Sequence, residues 1–289
     1  MHSILRTLLV FVLLAAAGFG QAPDFAEWRK KAETGDANAQ FNLGVMYDNG
    51  MGVLKDDAEA AKWYRKAAEQ GTALAQFNLG FMYYNGEGVL KDDEEAVKWF
   101  RVAAEQGLAI AQRNLGVVYY LGTGVPKDYA EAVKWYRLAA EQGDATAQSH
   151  LGGMYDQGKG VPKDGAEEVK WYRMAAEQGI AIAQHNLGVQ YAIGEGVPKD
   201  SAEAVKWYLL AAEQGYASAQ YNLGLMYRNG EGVPKDLVQA HVWLNIAGAK
   251  GHENAKQNLA IVEVEMTSEQ KAEAMKLARD LFAKLPKGE

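Results

Sequence analysis

The 289-residue sequence contains no cysteine, which excludes disulfides, thiolate metal sites and a cysteine nucleophile. A lipoprotein anchor is excluded for the same reason, since no cysteine follows the apolar N-terminal run. Histidine is scarce. His150, His185, His241 and His252 stand apart, and nothing has the spacing of His-Glu-x-x-His or of another metal site. Basic excess is also missing: the formal net charge is −7, and −8 once a leader carrying Arg6 is removed. With neither a basic stripe nor a nucleic-acid motif, DNA and RNA are not expected partners. No apolar run beyond the N-terminus is long enough to cross a bilayer. A glycine-rich phosphate loop is absent, because the Gly-x-Gly pairs precede Val-Pro and join helix to helix, where such loops need a strand-to-helix turn. No cofactor, metal or catalytic residue is therefore assigned.

What the chain does contain is repetition. Trp63, Trp99, Trp135, Trp171, Trp207 and Trp243 stand 36 residues apart, with Trp28 offset by 35. A period of that size signals stacked supersecondary units rather than one globular core. Six full copies begin at Ala37, Ala73, Ala109, Ala145, Ala181 and Ala217, and the first two differ at only about a quarter of their positions. Residues 21–36 read as an N-terminal capping half-repeat, 37–252 as the six copies, and 253–289 as a degenerate C-terminal capping repeat. The Lys- and Glu-rich last helix should give that end the polar outer face a terminal repeat needs.

The N-terminus predicts export. Met1 to Arg6 forms a short charged region, Thr7 to Ala17 is apolar, and Gly18-Phe19-Gly20 offers small residues for cleavage, so residues 1–20 read as a signal peptide. The mature chain would start at Gln21 or Ala22, be periplasmic or secreted, and keep no stable membrane anchor.

Both halves of each copy have helical spacing. Ala111, Leu115 and Tyr119 share one stripe in the third copy, and Ala132, Trp135, Tyr136 and Ala139 another. The joining segment Gly122-Thr123-Gly124-Val125-Pro126-Lys127 breaks the helix. Asp128 with Glu131 has capping-box spacing, and Gly143 sits where a left-handed C-terminal cap is expected. The next copy begins one or two residues later, so the fold class is all-α, with stacked antiparallel helix pairs. Gly44, Gly80, Gly116, Gly152, Gly188 and Gly224 lie inside first helices, where glycine costs about 1 kcal/mol relative to alanine, so each should receive a neighbouring helix at close range. The tryptophans read as core. The acidic residues recur in parallel in every copy and read as caps and solvated faces, whereas paired-carboxylate catalysis needs one asymmetric site.

The segments AQFNLGVMYDNGMGV and DDAEAAKWYRKAAEQG, with their later copies, resemble the SEL-one-like repeat, a relative of the tetratricopeptide repeat. The resemblance covers residue 24 to about 285 and implies a right-handed α-solenoid whose first helices line a concave face. It also implies a non-catalytic scaffold or adaptor, a monomer, that binds a protein or peptide. Two alternatives stay open. Some cysteine-rich secreted relatives are associated with β-lactam binding or hydrolysis, although this chain lacks both the cysteines and a Ser-x-x-Lys motif. Binding of peptidoglycan or another envelope glycan is the other.

Candidate binding residues are those that vary while the frame is constant. On the first helices, four positions spaced 3, 4, 3 share a face about 200° from the core stripe. They include Phe41, Phe77, Phe81, Tyr84, Arg113, Tyr120, His185, Tyr221 and Arg228. Drifting surface normally becomes Lys, Glu or Ser, so the aromatics point to a groove for a hydrophobic segment, with Arg113 beside it for a carboxylate.

Overall fold

The computed structural model describes residues 25–286. The export segment read over residues 1–20 lies outside them, as do residues 21–24 and the last three. Every element among the described residues is an α-helix. The chain divides into two compact units, the first ending at Asp144 and the second beginning at Ala145. In the first, α1 (Phe25–Glu33) leads three hairpins: α2 (Ala37–Asn49) with α3 (Asp57–Glu69), α4 (Ala73–Asn85) with α5 (Asp93–Glu105), and α6 (Ala109–Leu121) with α7 (Tyr129–Glu141). In the second, α8 (Ala145–Gln157) pairs with α9 (Gly165–Glu177), α10 (Ala181–Ile193) with α11 (Ser201–Glu213), and α12 (Ala217–Asn229) with α13 (Leu237–Ala249). Two further helices follow, α14 (Glu253–Glu265) and α15 (Ser268–Lys284). Within each unit the second helix of one hairpin packs on the first helix of the next, so the fold is an α-solenoid, as the spacing predicted.

The second helices start at aspartates. Asp56, Asp92, Asp128, Asp164, Asp200 and Asp236 each accept one or two amides of the first turn. The other half of the expected capping box does not form, and the reason is local. The Asp56 N–H already donates to Tyr47 O at 3.0 Å, and those of Asp92, Asp128, Asp200 and Asp236 donate to Tyr83, Tyr119, Tyr191 and Tyr227. With that donor committed, Glu59, Glu95, Glu131, Glu167 and Glu203 pair with the lysine three residues on. Such exposed pairs contribute little to stability.

Hairpins close around the glycine in the first helix. A Cβ on Gly116 would lie 2.6 Å from the Tyr136 ring, and one on Gly44, Gly152 or Gly188 would meet Tyr64, Tyr172 or Tyr208 just as closely. The ring takes the space a side chain would fill, and the packing reading of this position holds. A second close approach joins hairpin to hairpin: Gly88 has φ +65°, and a Cβ there would sit 2.0 Å from Asp57 O. Only glycine fits both the backbone conformation and the contact.

A ladder of glutamines fastens successive repeats. Gln40, Gln76, Gln112, Gln184 and Gln220 donate to the carbonyls of Ala32, Ala68, Ala104, Ala176 and Ala212. Gln70, Gln106, Gln142, Gln178 and Gln214 then donate to the side-chain carbonyls of Gln40, Gln76, Gln112, Gln148 and Gln184 at 2.6–2.8 Å. The ladder stops at Gln220, whose Oε1 is buried without a partner, because the next residue in the series is Lys250. The Lys250 ammonium donates to Gly215 O instead, at 2.8 Å.

Two helices follow the last hairpin at the C-terminal end. α15 packs on α13. Accordingly α13 carries a buried Val242 where the other second helices have Lys62, Lys98, Lys134, Lys170 or Lys206, all exposed. The outer face at this end is mixed: Glu273, Lys276, Arg279, Asp280 and Lys284 are exposed, and so are Ile261, Met275 and Phe282, with Val264 86% exposed.

Candidate binding surface

None of the nine candidate residues is fully solvent-exposed; Phe77 is buried and the other eight are half-buried. Helical periodicity alone gives the first helix one packed side. In a stacked array it has two, one toward its hairpin partner and one toward the second helix of the preceding repeat.

In the first unit, Phe41 lies with its ring centroid 5.9 Å from that of Tyr64. Phe77, only 6% exposed, packs 5.7 Å from Phe100 and 6.3 Å from Phe81, so its assignment to an open face is corrected: it belongs to the core. Arg113 is corrected as well. Its guanidinium reaches Asp144 Oδ2 at 3.2 Å, which commits it to an ion pair within the chain. Phe81, Tyr84 and Tyr120 remain at the surface. Tyr84 has the Lys91 ammonium 5.6 Å from its ring centroid, and Tyr120 lies 5.3 Å from the ring of Tyr129. Tyr84 and Tyr120 occupy the same position in consecutive repeats.

In the second unit the expected residues are spoken for. His185 Nδ1 lies 3.0 Å from Asn186 Oδ1 and its Nε2 lies 3.1 Å from Asn222 Nδ2, an arrangement that suits a neutral ring donating through Nδ1 and accepting at Nε2. Burial agrees by lowering its pKa, against which the bond to Asn186 works. Tyr221 stacks on His252 at 4.5 Å. Arg228 reaches Glu265 Oε1 at 3.4 Å, and Lys235 and Arg228 together hold that carboxylate below the usual range. These residues join parts of the array to each other, so the mixed C-terminal half of the expected groove is corrected to internal contacts.

One polar pair escaped the sequence reading. Glu168 is 3% exposed, at a position where the other repeats have Ala60, Ala96, Ala132, Ala204 and Ala240, and accepts from Gln190 Nε2 at 2.5 Å. Burial, with Asp156 and Glu195 nearby, pushes its carboxyl up to about 7, only partly opposed by Gln190 and Lys163. The break in the alanine column was the available signal. Among the described residues no group of acidic or histidine side chains could hold a metal ion, and no helix is long and apolar enough to cross a membrane.

Comparison with known proteins settles the family. The Sel1 repeat matches six times in succession, over residues 37–72, 73–108, 109–144, 145–180, 181–216 and 217–252. The chain belongs to the Sel1 repeat family. Its structure is similar to that of a protective antigen present in uropathogenic Escherichia coli strains and displaying an SLR fold, with 38% identity and a TM-score of 0.82. That likeness covers 91% of this chain and 56% of the antigen, so the chain spans little more than half the antigen's length. A Sel1 repeat protein from Oxalobacter formigenes is similar at 44% identity and a TM-score of 0.65, over 73% of this chain and 85% of that one. No curated protein matches. Sel1 repeat proteins are generally protein-interaction scaffolds, and the fold is generally non-catalytic.

Proposed function

We propose that this Sel1 repeat chain is an exported scaffold, periplasmic or secreted, that binds a hydrophobic segment of a protein or peptide and does no chemistry of its own. The observation that carries the reading is the aromatic surface of the first unit. Tyr84 and Tyr120 stand at one position of adjacent repeats, Phe81 lies one turn from Tyr84, and all three keep part of their rings in solvent. Rigid aromatic side chains give large contact area at low entropic cost, and such residues dominate binding energy at interfaces. Lys91 beside the Tyr84 ring favours a partner that also carries carboxylates.

The surface is tested by combining Phe81→Ala with Tyr84→Ala, after a partner has been captured from envelope extract with the mature protein. Calorimetric titration should show a loss of about 2 kcal/mol or more per hot-spot side chain, with the helical melt nearly unchanged. Wild-type affinity would move the binding surface elsewhere, first to the loops where Leu54 and Leu90 are 89% and 91% exposed. A lost cooperative melt would assign these aromatics to the core. Export is checked separately by N-terminal sequencing of the protein from its native host. Gln21 or Ala22 is expected first, and an intact Met1 on a cytoplasmic protein would overturn both cleavage and localisation.

A further inference from the structure

The last residue of each repeat, Thr72, Leu108, Asp144, Ile180, Tyr216 or His252, immediately precedes a first helix. A short polar side chain normally stands there to satisfy free amides, and Asp36 does so for α2 by accepting from Ala39 N at 2.7 Å. Thr72, Leu108, Ile180 and Tyr216 make no such bond. Leu, Ile and Tyr are poor caps, so another use must favour them.

In three of the six repeats that use is visible as a contact with the fifth residue of the same repeat, and in a fourth the last residue joins the fifth residue's apolar cluster. Leu108 packs on the apolar cluster that contains Phe77. Asp144 forms the ion pair with Arg113. Tyr216 lies 5.2 Å from the ring of His185, and His252 stacks 4.5 Å from Tyr221. The chemistry differs each time: apolar with apolar, cation with anion, imidazole with phenol, then the same two rings with places exchanged. Both members differ among these four repeats, while the frame around them stays nearly constant.

We propose that these pairs are an order code, matching each repeat to its own successor and rejecting the others. The need arises from the likeness of the copies, all six of which match one repeat pattern. Looping out one repeat carries little entropic penalty, because closure cost grows only slowly with length, and mis-assembly is a characteristic failure of repeat chains. Out-of-order docking, with one repeat looped out, would place Arg113 against Ile180, leaving a half-buried charge unpaired. It would likewise set His185 against His252 and Phe77 against Asp144. The variability of the first-helix face in Phe77, Arg113, His185 and Tyr221 is then internal addressing. The inference does not rest on the proposed binding surface.

Two experiments test it. In the first, every visible pair is given the chemistry of repeat two, by Arg113→Phe, Asp144→Leu, His185→Phe, Tyr216→Leu, Tyr221→Phe and His252→Leu together. All pairs stay matched but become indistinguishable. After refolding from denaturant, hydrogen exchange read by mass spectrometry should show two populations in first-helix peptides, where the natural chain shows one. A single population refolding at the natural rate would overturn the proposal. The second experiment remains decisive if that chain does not fold. Asp144→Leu and Arg113→Phe singly should each speed exchange in α6 about tenfold, and the two together should return it to within about twofold of the natural chain. Single effects that simply multiply in the double variant would show no matching and overturn the code.

Discussion

Replacing Trp135 by alanine should destabilise the first unit by about 3–5 kcal/mol, read as a fall in the denaturant midpoint. The indole is 6% exposed and sits in one apolar cluster with Phe77, Phe100, Leu115 and Val118, which α4, α5 and α6 contribute. Removing it leaves a cavity between repeats that the rigid helices can close only in part. Its Nε1 has no hydrogen-bond partner, so the indole contributes packing and a ring face 5.5 Å from the Lys134 ammonium, both of which another aromatic ring can supply. Trp135→Phe should therefore cost much less, about 1.5 kcal/mol or below, because most of the volume is kept and no bond is lost. An unchanged midpoint for the alanine variant would mean that the tryptophan column does not belong to the core.

The second large effect is a gain, and it depends on pH. The Glu168 carboxyl, ordinarily near 4.5, is pushed up to about 7, first by burial and then by Asp156 and Glu195. A raised acid is harder to ionise in the folded chain than in the unfolded one, so its protonated form favours folding. Its contribution is fully present below pH 4.5 and is lost as pH rises through about 7. At one pH unit per 1.36 kcal/mol, the loss amounts to roughly 3 kcal/mol. Combining Glu168→Ala with Gln190→Met reproduces the Ala204 and Met226 combination found one repeat later, which avoids stranding the glutamine. The double variant should melt higher than the natural chain at pH 8, and its advantage should shrink by about 3 kcal/mol at pH 4. An advantage independent of pH would show that Glu168 ionises without penalty.

The hairpins were legible from residues alone because each is specified locally, by a capping aspartate, a left-handed glycine and two apolar stripes. Gly116 could be read as a point of close approach because no other reason explains glycine inside a helix six times over. The first-helix face was not legible in the same way. Periodicity places Phe77 and Arg113 on the side opposite the core stripe, but cannot say that Phe100 and Asp144 meet them there. Arg113 finds Asp144 at a separation of 31 residues, which no helical period contains. The clue available was joint change: Arg with Asp, His with Tyr and Tyr with His at the same two positions, one of them a cap site occupied by poor caps. The missing half of the capping box had a similar origin. Glu131 has the right spacing, but the Asp128 N–H it would need is held by Tyr119 O.

The glutamine ladder has a consequence for how the chain is made. Each rung joins side chains only 30 residues apart, as in Gln70 with Gln40 and Gln106 with Gln76. A polypeptide that emerges N-terminus first from a ribosome or a translocation channel can therefore finish one rung after another, without waiting for distant segments. Each completed rung gives the next hairpin a formed surface on which to dock. Within each unit, assembly can keep pace with emergence, and the apolar stripe left bare at any moment is about one repeat wide.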